Sequence, residues 1–308
     1  MNTIPIHITN ETSRLRSVVL GIATSNGPVP RVEDAYDPKS IEHINKGTYP
    51  SEKNMVQELD AVASVLEKYD VKVYRPEVIK NCNQIFTRDI ALVVEDYFIK
   101  TNILPDRENE IKAINHVVSQ ITPEKVINVE DQNIHFEGGD IIMYQNYIFI
   151  GTYKGADYSD CIVARTNMKG VQFFKDFFPN KKVIEFDLQK SMQDPKDNAL
   201  HLDCCFQPVG KEYAIIHKEG FKDVRDYEFL VKLFGNEKLF HITKEEMYYM
   251  NSNIFSIAED VVISEKGFTR LNRWLRSLQI TVEEVPYAEI AKQEGLLRCS
   301  TLPLFRDY

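Results

Sequence analysis

The chain is short of the features that mark several large protein classes. No run of Lys and Arg is long enough to track a phosphate backbone, and the formal charge is −9 with a pI near 5.4. Nucleic acid is therefore not an expected partner. No apolar stretch approaches the ~20 residues that a membrane span requires. Met1–Asn10 has neither the charged leader nor the apolar segment of a signal peptide. Cysteine is sparse and odd in number, at Cys82, Cys161, Cys204, Cys205 and Cys299. Such scattered positions make no disulfide framework, and a reducing cytoplasm is the simpler setting. No C-x-x-C pair accompanies them, which argues against a structural zinc site. Low-complexity segments and linkers are also missing, so residues 1–308 are expected to form one domain.

What is present is apolar and regular. Hydrophobic residues make up 43% of the chain, with 17 Phe and 15 Tyr, enough for a large core. Pairs of β-rich runs flank short polar turns at Ile90–Val94/Tyr97–Thr101, Ile141–Tyr144/Tyr147–Gly151, Cys204–Val209/Tyr213–His217 and Ile254–Ile257/Val261–Ser264. A helical spacing of apolar residues follows each: Ile111–Ile121, Phe173–Phe178, Val224–Leu233 and Phe268–Leu278. A further β-rich run closes each unit, at Lys125–Val129, Lys182–Asp187, Lys238–Thr243 and Thr281–Tyr287. The N-terminal part supplies Arg16–Gly21, a helix capped by Ser51 and carrying Met55, Leu59, Val62 and Leu66, and Val71–Tyr74. Its missing strand is expected from Cys299–Phe305. The pattern is β-β-α-β five times over, which predicts an α/β propeller with five-fold pseudosymmetry. An open α/β sheet would use the same elements; the regularity favours radial repetition. The longest irregular stretch, Ala23–Pro50, reads either as a lid or as a surface excursion.

Five polar signatures recur once per unit: Phe86-Thr87-Arg88-Asp89, Glu137-Gly138-Gly139-Asp140, His201-Leu202-Asp203, Asn251-Ser252-Asn253 and Arg298-Cys299-Ser300-Thr301. Alternation along a strand would put His201, Asp203 and Cys205 on one face. That reads as a base and acid in a cavity, as a core histidine, or as part of a metal site. Glu137 and Asp140 bracket two glycines, and this suits a tight turn or a buried proton-shuttling acid equally. Asp89 needs a partner at a buried strand end. Arg88 offers a structural one, and Asp89 with Asp203 would grip the two edges of a guanidinium. Cys299 is a nucleophile candidate against the alternative of a core thiol.

These motifs, in this order, resemble the guanidino-group-modifying superfamily, the pentein fold of arginine deiminases, dimethylarginine dimethylaminohydrolases and amidinotransferases. The resemblance runs from Arg16 to Arg306. It implies that Cys299 attacks the guanidinium carbon, that His201 is the acid/base and that Glu137 assists it. Asp89 and Asp203 match the guanidinium clamp, with Phe86, Arg88 and Asp140 in the same binding set. Arg165, in Ala164-Arg165-Thr166-Asn167, matches an arginine that pairs with a substrate carboxylate. Arg88-Asp89 and His201-Leu202-Asp203 are similar to arginine deiminases and amidinotransferases, whereas the chain length is similar to dimethylargininases. Glu294-Gly295-Leu296-Leu297 stands where several relatives carry a glycine run. The expected function is hydrolysis of the guanidinium of arginine or a derivative to a ureido product, with no cofactor, no metal and a small-molecule partner. Amidino transfer to an amine, and a non-catalytic binding protein on the same scaffold, are the alternatives.

Overall fold

The computed structural model describes residues 3–155 and 157–307. Its strands are β1 (Leu15–Leu20), β2 (Lys72–Tyr74), β3 (Ala91–Val94), β4 (Tyr97–Lys100), β5 (Val126–Asn128), β6 (Ile141–Tyr144), β7 (Tyr147–Thr152), β8 (Lys182–Asp187), β9 (Phe206–Val209), β10 (Tyr213–Ile216), β11 (Leu239–His241), β12 (Phe255–Ala258), β13 (Val261–Glu265), β14 (Thr281–Val285) and β15 (Thr301–Arg306). They form five three-stranded sheets, β15-β1-β2, β3-β4-β5, β6-β7-β8, β9-β10-β11 and β12-β13-β14. In every sheet the middle strand runs antiparallel to one neighbour and parallel to the other. The C-terminal strand β15 completes the first sheet, with Leu20 opposite Thr301. This is the pentein architecture, an α/β propeller of five ββαβ units.

The helices are α1 (Pro38–Asn45), α2 (Glu52–Lys68), α3 (Thr87–Ile90), α4 (Glu108–Lys112), α5 (Asn115–Val118), α6 (Met168–Phe177), α7 (Val224–Phe234), α8 (Lys244–Tyr248) and α9 (Thr269–Ser277). Ser51 caps α2 by accepting from the Asn54 backbone N–H at 3.3 Å. The longer helices bury one stripe each, such as Leu59, Val62 and Leu66 of α2, while strands such as β3 are buried throughout. A sheet covered on both sides explains the unbroken apolar runs. Among the described residues, no helix is long and apolar enough to cross a membrane.

Three expectations need correcting. The apolar spacing over Ile111–Ile121 folds as two short helices, α4 and α5, and not as one. Residues 23–50 are not wholly irregular. They contain a 3-10 turn at Val32–Asp34 and the eight-residue α1, begun by Pro38 and capped by Asp37, whose carboxylate accepts from Ser40 N–H at 2.6 Å. Its sequence has no apolar period to reveal it. Finally, His201-Leu202-Asp203-Cys204-Cys205 is no strand; Leu202–Cys204 is a 3-10 turn with His201 at its N-cap.

That last correction exposes a rule of the fold. Each polar signature occupies one tight turn just before the first strand of its sheet: α3 before β3, Gly138–Asp140 before β6, Leu202–Cys204 before β9, Asn251–Asn253 before β12 and Arg298–Ser300 before β15. The turns are tied to one another around the axis. Arg88 N–H donates to Cys299 O (3.0 Å), Leu202 N–H to the Asp140 carboxylate (2.9 Å), Ser252 hydroxyl to Asp203 O (2.9 Å) and Arg298 N–H to Asn253 O (3.3 Å). Between the second and third units, backbones approach so closely that a Cβ on Gly138 would lie 2.1 Å from Arg88 O. Five turns thus make a closed ring.

Candidate active site

The ring faces a cavity of about 310 Å3. His201 and Cys299 line it, and a ring nitrogen of His201, the Cys299 sulfur and a carboxylate oxygen of the fully buried Asp203 all lie within 4.8 Å of one another. Cys299 Sγ is 3.7 Å from Asp203 Oδ2. His201 Nε2 is 2.8 Å from Glu137 Oε2, and its Nδ1 is 3.9 Å from Asp89 Oδ1. Among the described residues, neither His201 Nδ1 nor Asp89 Oδ1 has a hydrogen-bond partner. Two buried polar atoms facing a cavity without partners are expensive unless a ligand supplies the missing bonds. The imidazole leans on Gly139, where a Cβ would come within 2.7 Å of its Cγ and Nδ1. The second glycine of the Glu137–Asp140 turn is therefore required by ring packing.

The anions are balanced by arginines. Arg107 gives Nη1 to Asp89 at 3.0 Å and a two-pronged contact to Glu110 at 2.8 and 2.9 Å. It also lies 3.6 Å from Glu137. Arg165 gives Nη1 to both Glu137 oxygens at 3.2 and 3.3 Å, Nε to Ile162 O and Nη2 to Tyr36 O. Arg298 holds Asp203 at 2.8 Å and Glu11 at 3.0 Å.

Burial alone would raise Glu137, but Arg165, the His201 hydrogen bond and Arg107 outweigh it and hold the carboxyl well below its usual range. Burial pushes Asp89 up. Burial opposes a charged His201, yet Asp89, Asp140 and Glu137 carry its pKa upward. Burial, then Asp203 and Asp89, push the Cys299 thiol well up. These side chains by themselves therefore favour imidazolium and thiol. A cation bound among these acids reverses the electrostatic term on the sulfur and favours thiolate.

The expected residues divide by position. Cys299, His201, Asp89, Arg165 and Phe86 line the cavity. Glu137 lies behind His201, and Asp203 lies against the sulfur. Asp140 and Arg88 do not line it. Asp140 accepts from Leu202 N–H and from Thr166 hydroxyl at 2.6 Å, which fixes the histidine turn. Arg88 donates Nε to Arg298 O at 3.3 Å, behind the cysteine. Cys205 has its sulfur 3.5 Å from Leu202 O and takes no part. Arg107 and Glu110 were not anticipated. Three positions apart across the start of α4, they look like an exposed ion pair, and only the tertiary fold buries them. Asn253 lay in a recognised signature without a role; its amide reaches Cys299 Sγ at 3.1 Å.

Among the described residues, two groups of three side chains bring ligand atoms within 4.8 Å, His201/Asp203/Cys299 and Asp89/Glu137/His201. In both, the carboxylates already hold arginine guanidinium groups, so the donor set is matched to planar N–H forks. The cavity's far wall comes from residues 26–49, including Pro28, Pro30, Tyr36, Asp37 and Tyr49. The stretch read as lid or excursion thus covers the site.

Five-fold sheet repetition and this cysteine, histidine and acid constellation define a pentein of the guanidino-group-modifying superfamily. The chain belongs to the family described as N,N dimethylarginine dimethylhydrolase, eukaryotic, whose model matches residues 33–306. It is 25% identical over 225 residues to YkgA of Bacillus subtilis (strain 168), an uncharacterized protein, covering 72% of this chain and 70% of that one. The fold is similar to the product-bound N-terminal domain of ArgZ, a cyanobacterial arginine dihydrolase, with TM-score 0.76, 17% identity and coverage of 94% and 97%. It is also similar to SxtG, an amidinotransferase of saxitoxin biosynthesis from Microseira wollei, with TM-score 0.76, 17% identity and coverage of 99% and 98%.

Proposed function

We propose that the chain, as one catalytic domain over residues 1–308, hydrolyses the guanidinium of arginine or a close derivative by covalent catalysis at Cys299. The observation that carries this reading is the meeting of Cys299 Sγ, His201 and Asp203 within 4.8 Å, beside unpartnered acceptor and imidazole atoms on Asp89 and His201. The family match supports a guanidino substrate.

The substrate cation enters between Asp89 and Asp203, each charge-assisted bond being worth roughly 1.5–3 kcal/mol before desolvation. Its charge favours loss of the Cys299 proton to solvent, with His201 kept as imidazolium. The sulfur attacks the guanidinium carbon, and a C–S bond forms. His201 gives a proton to the departing nitrogen as the C–N bond breaks, leaving an amidino thioether and free ammonia or amine. Water then gives a proton to His201 and attacks the same carbon. The C–S bond breaks, thiolate leaves and takes up the proton of the new hydroxyl, and a ureido product and the thiol result. Glu137 holds His201 in orientation and supports its charged form. Arg165 and Arg107, the cations on the cavity wall, are available to a substrate carboxylate if they exchange their present acids. Five free cysteines suit a cytoplasmic setting.

Purified protein incubated with arginine, methylated arginines, acylated arginines and agmatine should release a ureido product detectable by mass spectrometry. Cys299→Ala should lower turnover by roughly 10³-fold or more and abolish labelling by 2-chloroacetamidine. Undiminished turnover by Cys299→Ala would reject the scheme. A new guanidino compound formed only with added glycine or lysine would assign amidino transfer. No turnover and no labelling would leave a binding protein.

A further inference from the structure

Asn253, in one of the five axial signatures, meets the sulfur with an uncharged side chain. Its Nδ2 lies 3.1 Å from Cys299 Sγ. Its Oδ1 accepts from two backbone donors, Arg298 N–H at 3.0 Å and Cys299 N–H at 3.1 Å. Those two bonds decide which end of the amide is which. The oxygen must face the backbone, so the NH2 must face the sulfur. Arg298 N–H also reaches Asn253 O at 3.3 Å, and Ser252 ties the same turn to Asp203 O at 2.9 Å. The amide is 0% exposed and cannot rotate without losing both backbone bonds. It is a fixed donor aimed at the atom that must become anionic.

The need for such a donor follows from the surroundings. The sulfur sits 3.7 and 3.9 Å from the oxygens of Asp203, in a cavity that also holds Asp89. Cys299 is only 2% exposed, so a thiolate there would find few hydrogen bonds from solvent. Resting on the reading that Cys299 is the nucleophile, we propose that Asn253 is a catalytic residue whose side-chain amide stabilises the Cys299 thiolate. It acts when the thiolate forms for attack and again when it leaves in the second half-reaction.

The decisive variant is Asn253→Asp. A carboxylate of the same shape still accepts both backbone N–H groups but replaces the sulfur's donor by a third anion. The measurement is the rate of Cys299 alkylation by iodoacetamide across pH, followed by peptide mass spectrometry, alongside steady-state kinetics. The expected result is an alkylation profile displaced to higher pH. At neutral pH the rate should be roughly tenfold lower or less still, with a matching loss in kcat. Asn253→Ala, which removes donor and acceptor together, should displace the profile in the same direction and covers the case in which the Asp variant does not fold. An alkylation profile unchanged in a folded variant, with turnover still dependent on Cys299, would overturn the role of Asn253 alone. Turnover that survives Cys299→Ala would overturn the nucleophile and the donor together.

Discussion

At the scale of single residues, the site works by setting acids against buried cations so that a guanidinium is the missing charge. Glu137 shows this most directly. It is 1% exposed, yet two arginines and an imidazole keep it ionised. The imidazole in turn owes its raised pKa to the acids around it, against the opposing effect of burial. A histidine so raised gains charged-state stabilisation that is complete below its ordinary value near 6.5 and is lost as pH rises through the folded value. The alkaline limb of kcat, where the acid His201 loses its proton, should therefore lie above the ordinary histidine range. Glu137→Gln removes the bonded anion and should move that limb to lower pH, with kcat at neutral pH falling roughly 10²-fold. A pH profile of kcat for both proteins is the check. A limb that stays in place while kcat falls would assign Glu137 to holding Arg165 and Arg107 instead. Much of this was legible in the residues themselves. Cys299, His201, Glu137 and the clamp acids are types that chemistry on a cation needs, and they recur at equivalent points of a repeat. Arg107 was not legible, because burial of an arginine depends on what packs over it.

At the scale of elements, the instructive pieces are α1 and the loop Glu294–Leu297, which meet over the cavity. Glu294 is buried and takes a left-handed backbone at φ 56°, a conformation that costs a non-glycine residue energy. The side chain offsets this. Its Oε1 accepts from Asn198 at 2.7 Å, its Oε2 faces the Lys39 N–H of α1 at 3.4 Å, and it shares a hydrogen bond with Asp37, the cap of that helix. Burial, then the Asp37 charge, push Glu294 well above the usual carboxylate range, so its neutral form is the donor to Asp37. Lys39, lowered to about 8 mainly by burial, reaches Tyr248 O and pins α1 from the other side. Glutamine copies a protonated glutamate in shape and donors. Glu294→Gln should keep kcat/KM within about threefold. Glu294→Ala leaves Asn198 and Asp37 unpaired and should raise KM roughly tenfold, the equivalent of the ~1–3 kcal/mol that an orphaned buried polar group costs. Steady-state kinetics of the pair decides it, and equal losses would mean that ionised Glu294 is required. Strands and most of the longer helices were readable from the sequence within a residue or two because apolar periodicity marks them; α6 starts at Met168, five residues before its first apolar marker, Phe173. α1 and the single turns that carry the site have too few residues for a period. The signature at His201 was consequently mistaken for strand, although the conclusion that His201 and Asp203 converge holds for a different reason, the tightness of a 3-10 turn.

At the scale of the whole molecule, periodicity could suggest five units but not closure, since closure lives in contacts between distant residues, as in the bond from Arg298 to Glu11, 287 positions away. The axis is closed by a buried ion cluster. Arg298 is 0% exposed and spans Glu11, Asp203 and the carbonyls of Gly138, Gly139 and Ile141. Arg88 and Arg306 crowd it. Burial and the charge of Arg298 hold Arg88 down to about 9, and burial holds Arg306 down to about 10. Three guanidinium groups share two acids, so each acid matters more than in an isolated pair. Burial would raise Glu11, but Arg298 and Arg88 bring it down to about 2 from 4.5. A carboxylate depressed in this way contributes stability that is complete above 4.5 and is lost as pH falls through 2. Glu11→Gln should therefore cost about 3–5 kcal/mol at neutral pH, the usual penalty for removing one partner of a buried pair. The difference from the parent protein should shrink as pH drops below 4.5. Denaturant midpoints of both proteins at neutral pH and near pH 3 measure it. An unchanged midpoint at neutral pH would mean that Asp203 and the three carbonyls hold Arg298 unaided, and that the ring of turns closes without Glu11.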